Sequence, residues 1–125
     1  MDRKFILTAF GYAILGLGLG IYMAASKNNI QHVTHAHFML IGFLLSFVYG
    51  LCHKLWLNNS TSRLANVQFY VHQIGSCITL IGLFLLYGQF VPFEIIDPIL
   101  AIASLAVFLG VILMKIEFVR CTRQK

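Results

Sequence analysis

The stretch of sequence that decides the fold runs from residue 33 to residue 56: VTHAHFMLIGFLLSFVYGLCHKLW. Its only formal charge is Lys54, close to its end. A helix that crosses a bilayer needs about 20 mostly apolar residues, and this run supplies them. Working outward, three further runs qualify, at 5–25, 64–91 and 98–118. The joins between them are polar or helix-breaking. Lys27-Asn28-Asn29 forms the first and Asn58-Asn59-Ser60-Thr61-Ser62 the second. In the third, Pro92 and Pro98 bracket Glu94 and Asp97, and prolines belong at helix boundaries.

Of the 125 residues, 59% are hydrophobic and 10% are charged, where a soluble domain carries about 25% charge. The mean hydropathy is +0.84. A chain so poor in charge cannot cover a globule with polar surface, so the bilayer must act as its solvent. These features predict an all-α integral membrane protein, a single four-helix domain over residues 1–125. The net charge of +5 gives no sign of nucleic-acid binding, because the basic residues flank the spans and do not interleave with aromatics. Arg3-Lys4, the apolar run behind them and Ala24-Ala25-Ser26 resemble a secretory signal. The apolar core of such a signal is about 7–15 residues, so the longer run here reads as a span.

Charge also predicts orientation. Arg3, Lys4, Lys54, Arg63, Lys115, Arg120, Arg123 and Lys125 lie on the N-terminus, the second loop and the C-terminus, against Lys27 alone on the first loop. Cytoplasmic segments carry the excess of Lys and Arg, so both termini are expected in the cytoplasm, with the chain in a bacterial inner membrane. Ala9, Ala13, Gly16, Gly20 and Ala24 fall near one face of the first span, with a weaker stripe of Ala103, Ala106 and Gly110 on the fourth. Small residues at this spacing let helices approach closely in lipid. Cys52, Cys77 and Cys121 form no CxxC or CxxCH motif and read as small reduced hydrophobes.

Five histidines carry the candidate chemistry: His32, His35, His37, His53 and His72. Ionisable groups at membrane depth are costly and point to function, and histidine is both the commonest metal ligand and an axial ligand of haem. Successive helical residues turn by about 100°, so His35 and His37 face nearly opposite ways and cannot share one ion from a straight helix. They can each serve a cofactor on either side of the second span. His35 and His53 are five turns apart, about 27 Å, on one face. His72 falls near the depth of His53, and this inner pair could form a second ligand site. Taken singly, His53 beside Lys54 reads as an interfacial residue and His72 as a bond to a neighbouring helix. Met23 and Met39 offer thioethers but more often fill gaps in packing. Tyr49, Tyr70 and Tyr87 read as interfacial aromatics.

The stretch Thr34-His35-Ala36-His37-Phe38-Met39-Leu40, running on through Gly42 to Tyr49-Gly50-Leu51, resembles the histidine-bearing helices of the haem-copper oxidase superfamily. A similar His-Ala-His opening occurs in membrane haem and copper proteins of the NnrS type. In the oxidase catalytic subunit such a pair serves two haems on opposite faces of one helix, within three arcs of four helices each. The resemblance therefore implies haem b with His35 and His37 as axial iron ligands, in a chain equivalent to one arc. It also implies a homo-oligomer, plausibly a trimer, acting in electron transfer or redox and gas-ligand chemistry with an unidentified electron donor. The adjacent His-His pair of the oxidase copper site is missing, so a complete oxygen-reducing centre is not expected. Two other readings stand beside this one: a protein that handles copper or another ion through His35, His37 and Met39, and an accessory structural subunit without a cofactor.

Overall fold

The computed structural model describes residues 1–58 and 62–123. The second loop falls partly outside the described residues, as does Lys125. Every element described is helical. We label the helices α1 (Asp2–Ser26), α2 (His32–Leu55), α3 (Arg63–Tyr87) and α4 (Phe93–Arg123), all four long and apolar enough to cross a membrane.

The observed ends refine the expected ones. Lys27 adopts a left-handed conformation (φ 55°) that stops α1. The Asn28 side chain then accepts a bond from the Ile30 N–H, and α2 begins at His32. The Ser62 hydroxyl caps α3 by accepting from the Ala65 N–H at 3.1 Å. That helix stops at Tyr87 and does not run on to residue 91, because the chain turns at Gly88 and at Gln89, whose φ is 60°. Pro98 is not a boundary. The Pro92 carbonyl accepts from the N–H groups of Ile95 and Ile96, so α4 starts at Phe93 and carries Pro98 inside it. So near the N-terminus the proline forfeits a single ladder bond. Glu94 therefore sits in the first turn of α4, where the helix dipole favours a carboxylate.

The helices run up, down, up and down. Along α1 and α2, a Cβ on Gly16 would meet Phe38 and Met39, one on Gly20 would meet His35, and one on Gly50 would meet Ile6. As the residue numbers of one helix rise, those of its partner fall. The small-residue face of α1 is thus the seam with α2. On the other side, Gly75 lies against Ala106 and Val107, and Gly82 against Leu100. The two hairpins join where Gln31 Nε2 donates to the Phe84 carbonyl and where the Tyr12 hydroxyl bonds Gln73 Oε1 at 2.9 Å. Both termini consequently lie at one end, with Phe118 of α4 against Trp56 of α2.

One element was not expected. The middle of α2, Phe38–Leu45, is a π-helix, flanked by α-helical His32–His37 and Ser46–Leu55. Such wide turns are rare and frequently mark functional sites.

Polarity is distributed opposite to that of a soluble protein. Large apolar side chains such as Ile14, Ile102 and Leu7 lie on the outside. The largest side chains sealed completely inside, among the described residues, are Phe5, Leu80, His53, His72, Gln68, Glu117, Thr34, Ser46 and Ser76. Seven of those nine are polar. In lipid the exterior can be apolar, and polar groups must find partners within the bundle.

Candidate functional site

The histidines separate into two groups along α2 and α3. At the end away from the termini, His35 lies in the α1–α2 seam and its Nδ1 is 2.7 Å from the Gly16 carbonyl. Its ring occupies the space that a side chain on Gly20 would need, with Cε1 2.9 Å from the position of a Cβ there. The His37 Nδ1 is 2.8 Å from the carbonyl of Val33, on its own helix. A carbonyl can only accept, so Nδ1 carries a proton in both rings, and in the neutral imidazole Nε2 keeps its lone pair. Neither Nε2 is hydrogen-bonded among the described residues. This is the arrangement in which a histidine ligates metal: one nitrogen fixes the ring and the other is available. The exposed His32 makes a similar Nδ1 contact, 3.1 Å from the Asn29 carbonyl. Met39 rests against Gly16 and Met23 is buried, so both fill space in the bundle.

At the termini-bearing end the picture differs from the sequence expectation. His53 turns into the bundle and not towards lipid or water. It is fully buried and stacked on Phe5, with ring centroids 5.5 Å apart and planes 17° from parallel. Lys54, next in sequence, points elsewhere because successive helical side chains diverge by about 100°. Tyr49 is likewise interior rather than part of an aromatic belt. It is 2% exposed and meets the His72 ring edge-on at 5.0 Å. His72 is fully buried between two serines, with Nε2 2.9 Å from Ser46 Oγ and Nδ1 3.5 Å from Ser76 Oγ. To ligate a metal together with His53, His72 would have to surrender one of these contacts.

Sequence reasoning passed over Gln68 and Glu117, both buried in this region. Gln68 Nε2 donates to the Gly110 carbonyl at 3.2 Å. Glu117 Oε1 accepts from the Ser62 hydroxyl at 3.0 Å and from the Cys121 thiol at 3.5 Å, and Glu117 and Asp2 lie within electrostatic reach of His53. Five buried side-chain atoms have no bonding partner among the described residues: Tyr49 Oη, His53 Nδ1 and Nε2, Gln68 Oε1 and Thr79 Oγ1. Each such atom costs about 1–3 kcal/mol if left dry, so their concentration in one bundle calls for an explanation. The signal was present in the sequence. Gln68, His72, Ser76 and Thr79 recur every three or four residues along one face of a largely apolar helix.

The described residues hold no group of three or more His, Cys, Asp or Glu side chains able to enclose a metal ion. One cavity among the described residues, about 700 Å³, is an open groove between α3 and α4 that includes Arg63, Asn66, Tyr70 and Leu109 and no histidine. The fold and its polar interior thus define an all-helical protein with four helices fit to span a membrane. Compared with protein-family models, characterised proteins and solved structures, the chain matches none.

Proposed function

We propose that this chain is a haem-binding membrane protein, with His35 and His37 as axial ligands of b-type haem iron, acting in electron transfer or redox and gas-ligand chemistry. The observation that carries the reading is the shared state of the two rings: each is fixed through Nδ1 to a backbone carbonyl, and neither Nε2 is hydrogen-bonded among the described residues. Haem suits this supply of ligands better than a bare ion does. A porphyrin fills four positions around iron and asks the protein for one or two, whereas an enclosed ion needs three or four side chains, and no such group stands together among the described residues. The π-helix beginning directly after His37 supports the same location.

The haem is held between copies of the chain. His35 is anchored to the Gly16 carbonyl through Nδ1 alone and His37 points nearly the opposite way, so one chain cannot offer both to one iron. The cavities formed by Arg63 and Leu109, by Leu19 and Phe84, and by Asp2 and Lys54 take in no histidine. His35 of one protomer facing His37 of the next gives a head-to-tail contact, which closes into a ring where the rotation between copies returns to its start, and a trimer would give twelve helices. In this arrangement the chain's own residues orient the rings through the Gly16 and Val33 carbonyls, and the apolar helix faces exclude water. When bound, haem would supply the reversible one-electron chemistry. The test mixes tagged His35→Ala chains with untagged His37→Ala chains. Mixed rings should regain some sites with both ligands while either variant alone has none. A haem-loaded monomer with two histidine ligands would contradict the assignment.

A further inference from the structure

We propose that the groove between α3 and α4 seats one phospholipid with an anionic headgroup that carries no amine. Its phosphate rests on Arg63, and an acyl chain runs inward to Ile74 and Ala106. The groove measures about 700 Å³, and its chemistry changes along its length. Arg63 and Asn66 stand in the first turn of α3, the amphipathic Tyr70 follows, and the rest of the lining is apolar. Residues 63, 66, 70 and 74 are three or four positions apart, so they form one stripe along the helix. From Arg63 to Ile74 is eleven positions, about 16 Å, and half of a hydrocarbon core about 30 Å thick is about 15 Å. The groove thus has the depth of one leaflet, with its polar end at the membrane surface. Helix packing sets its limits. A Cβ on Gly75 would lie 3.0 Å from the Ala106 Cβ and 3.1 Å from the Val107 nitrogen, so the two helices close on each other at the deep end. Tyr70, Ile74 and Leu109 are exposed, so the groove opens outward to lipid and not into the bundle.

The headgroup is specified by what the lining offers and by what it lacks. Among the described residues, no hydrogen bond or ion pair engages the side chain of Arg63, Asn66 or Tyr70. A guanidinium meets a phosphate with two parallel N–H bonds, and basic pockets between helices at a membrane surface hold anionic headgroups. Asn66 is about 4.5 Å deeper along the helix, where its amide can donate to an ester carbonyl below the phosphate. Helical side chains lean towards the N-terminus of their helix. For α3 that is the surface end, so the Tyr70 hydroxyl is carried back towards the same polar layer. No carboxylate lines the groove. Glu117, at the same end of α4, is turned inward, 2% exposed and bonded to the Ser62 hydroxyl. An ethanolamine ammonium therefore finds no partner, whereas a glycerol headgroup needs none. The groove takes in no histidine, so the proposal stands or falls apart from haem binding.

The experiment is native mass spectrometry of the full chain, stripped of lipid in mild detergent. It is titrated with phosphatidylglycerol or with phosphatidylethanolamine bearing the same acyl chains. The native chain is expected to hold one phosphatidylglycerol about tenfold more tightly than phosphatidylethanolamine. Arg63→Gln should bring the two lipids to within about twofold of each other, because the bidentate phosphate contact is lost. Lys115→Gln removes an exposed cation at the same end of the bundle. Lying nine positions after Ala106, it is on the opposite face of α4, so the preference should survive. Ile74 is 58% exposed, so Ile74→Trp adds no bulk to the core and fills only the deep end of the groove. It should weaken phosphatidylglycerol binding about tenfold, as expected when buried apolar contact is lost. Equal binding of both lipids by the native chain, or a preference that survives Arg63→Gln, would overturn the proposal. So would a preference that Lys115→Gln abolishes equally, or an Ile74→Trp chain that dissociates from other copies while keeping its lipid.

Discussion

At the scale of single residues, the account turns on what Gly20 leaves out. The His35 ring lies where a side chain would be, 2.9 Å from the position of a Cβ, a separation at which something must move. Gly20→Ala should therefore cost about 1–3 kcal/mol by overpacking and turn His35 off the Gly16 carbonyl. The midpoint of unfolding in mixed detergent, compared with Gly18→Ala, where a Cβ meets nothing within 4 Å, checks this. Equal midpoints would show that His35 is not seated there. The sequence displayed His35 and His37 plainly, because imidazoles at the head of an apolar run have few explanations. It misplaced His53 and Tyr49 for a physical reason. Burial depends on which way a side chain turns relative to neighbouring helices, and adjacency to Lys54 carries none of that information. Gln68 and Glu117 were legible only once the polar spacing along α3 and the C-terminal end of α4 were read as a face and not as a list.

Among the elements, the four spans were readable from hydropathy alone, since no other solvent tolerates such runs. Their ends were less so. A proline near a helix start forfeits little, and Pro98 for that reason lies within α4. The π-segment Phe38–Leu45 has no signature in composition, because winding is set by packing against α1, where Tyr12 occupies the place of a Gly42 side chain. Its wider turns set the rotation between the His35 and His53 ends of α2. Both now face α1, one at Gly16 and Gly20 and the other at Phe5. Deleting the exposed Leu44 should return the segment to α winding and leave both ends of α2 in their seats, because a wide turn of this kind absorbs one added residue. We expect helical content by circular dichroism and the melting temperature both to hold. A marked fall in melting temperature would mean that the π-turns are themselves needed to keep the two seats.

For the whole molecule, an even number of antiparallel helices places both termini at one end, and Lys and Arg concentrate there. Reporter fusions after residue 60 and at the C-terminus should read cytoplasmic, and fusions near Asn29 and Glu94 external. An external second loop would reverse the orientation, because most of the charge bias rests on that loop and the tails. The up-and-down bundle was implicit in four spans with short joins, whereas the polar interior was not, since it arises only where faces of different helices meet. The claim on which the account rests is that His35 and His37 hold haem. It is tested most directly by the visible spectrum of the protein purified in mild detergent, oxidised and then reduced, for the native chain, His35→Ala and His37→Ala. The account predicts a Soret band in the native protein that shifts on reduction and is lost or altered in each variant. A native protein without that band, or spectra unchanged in both variants, would contradict it.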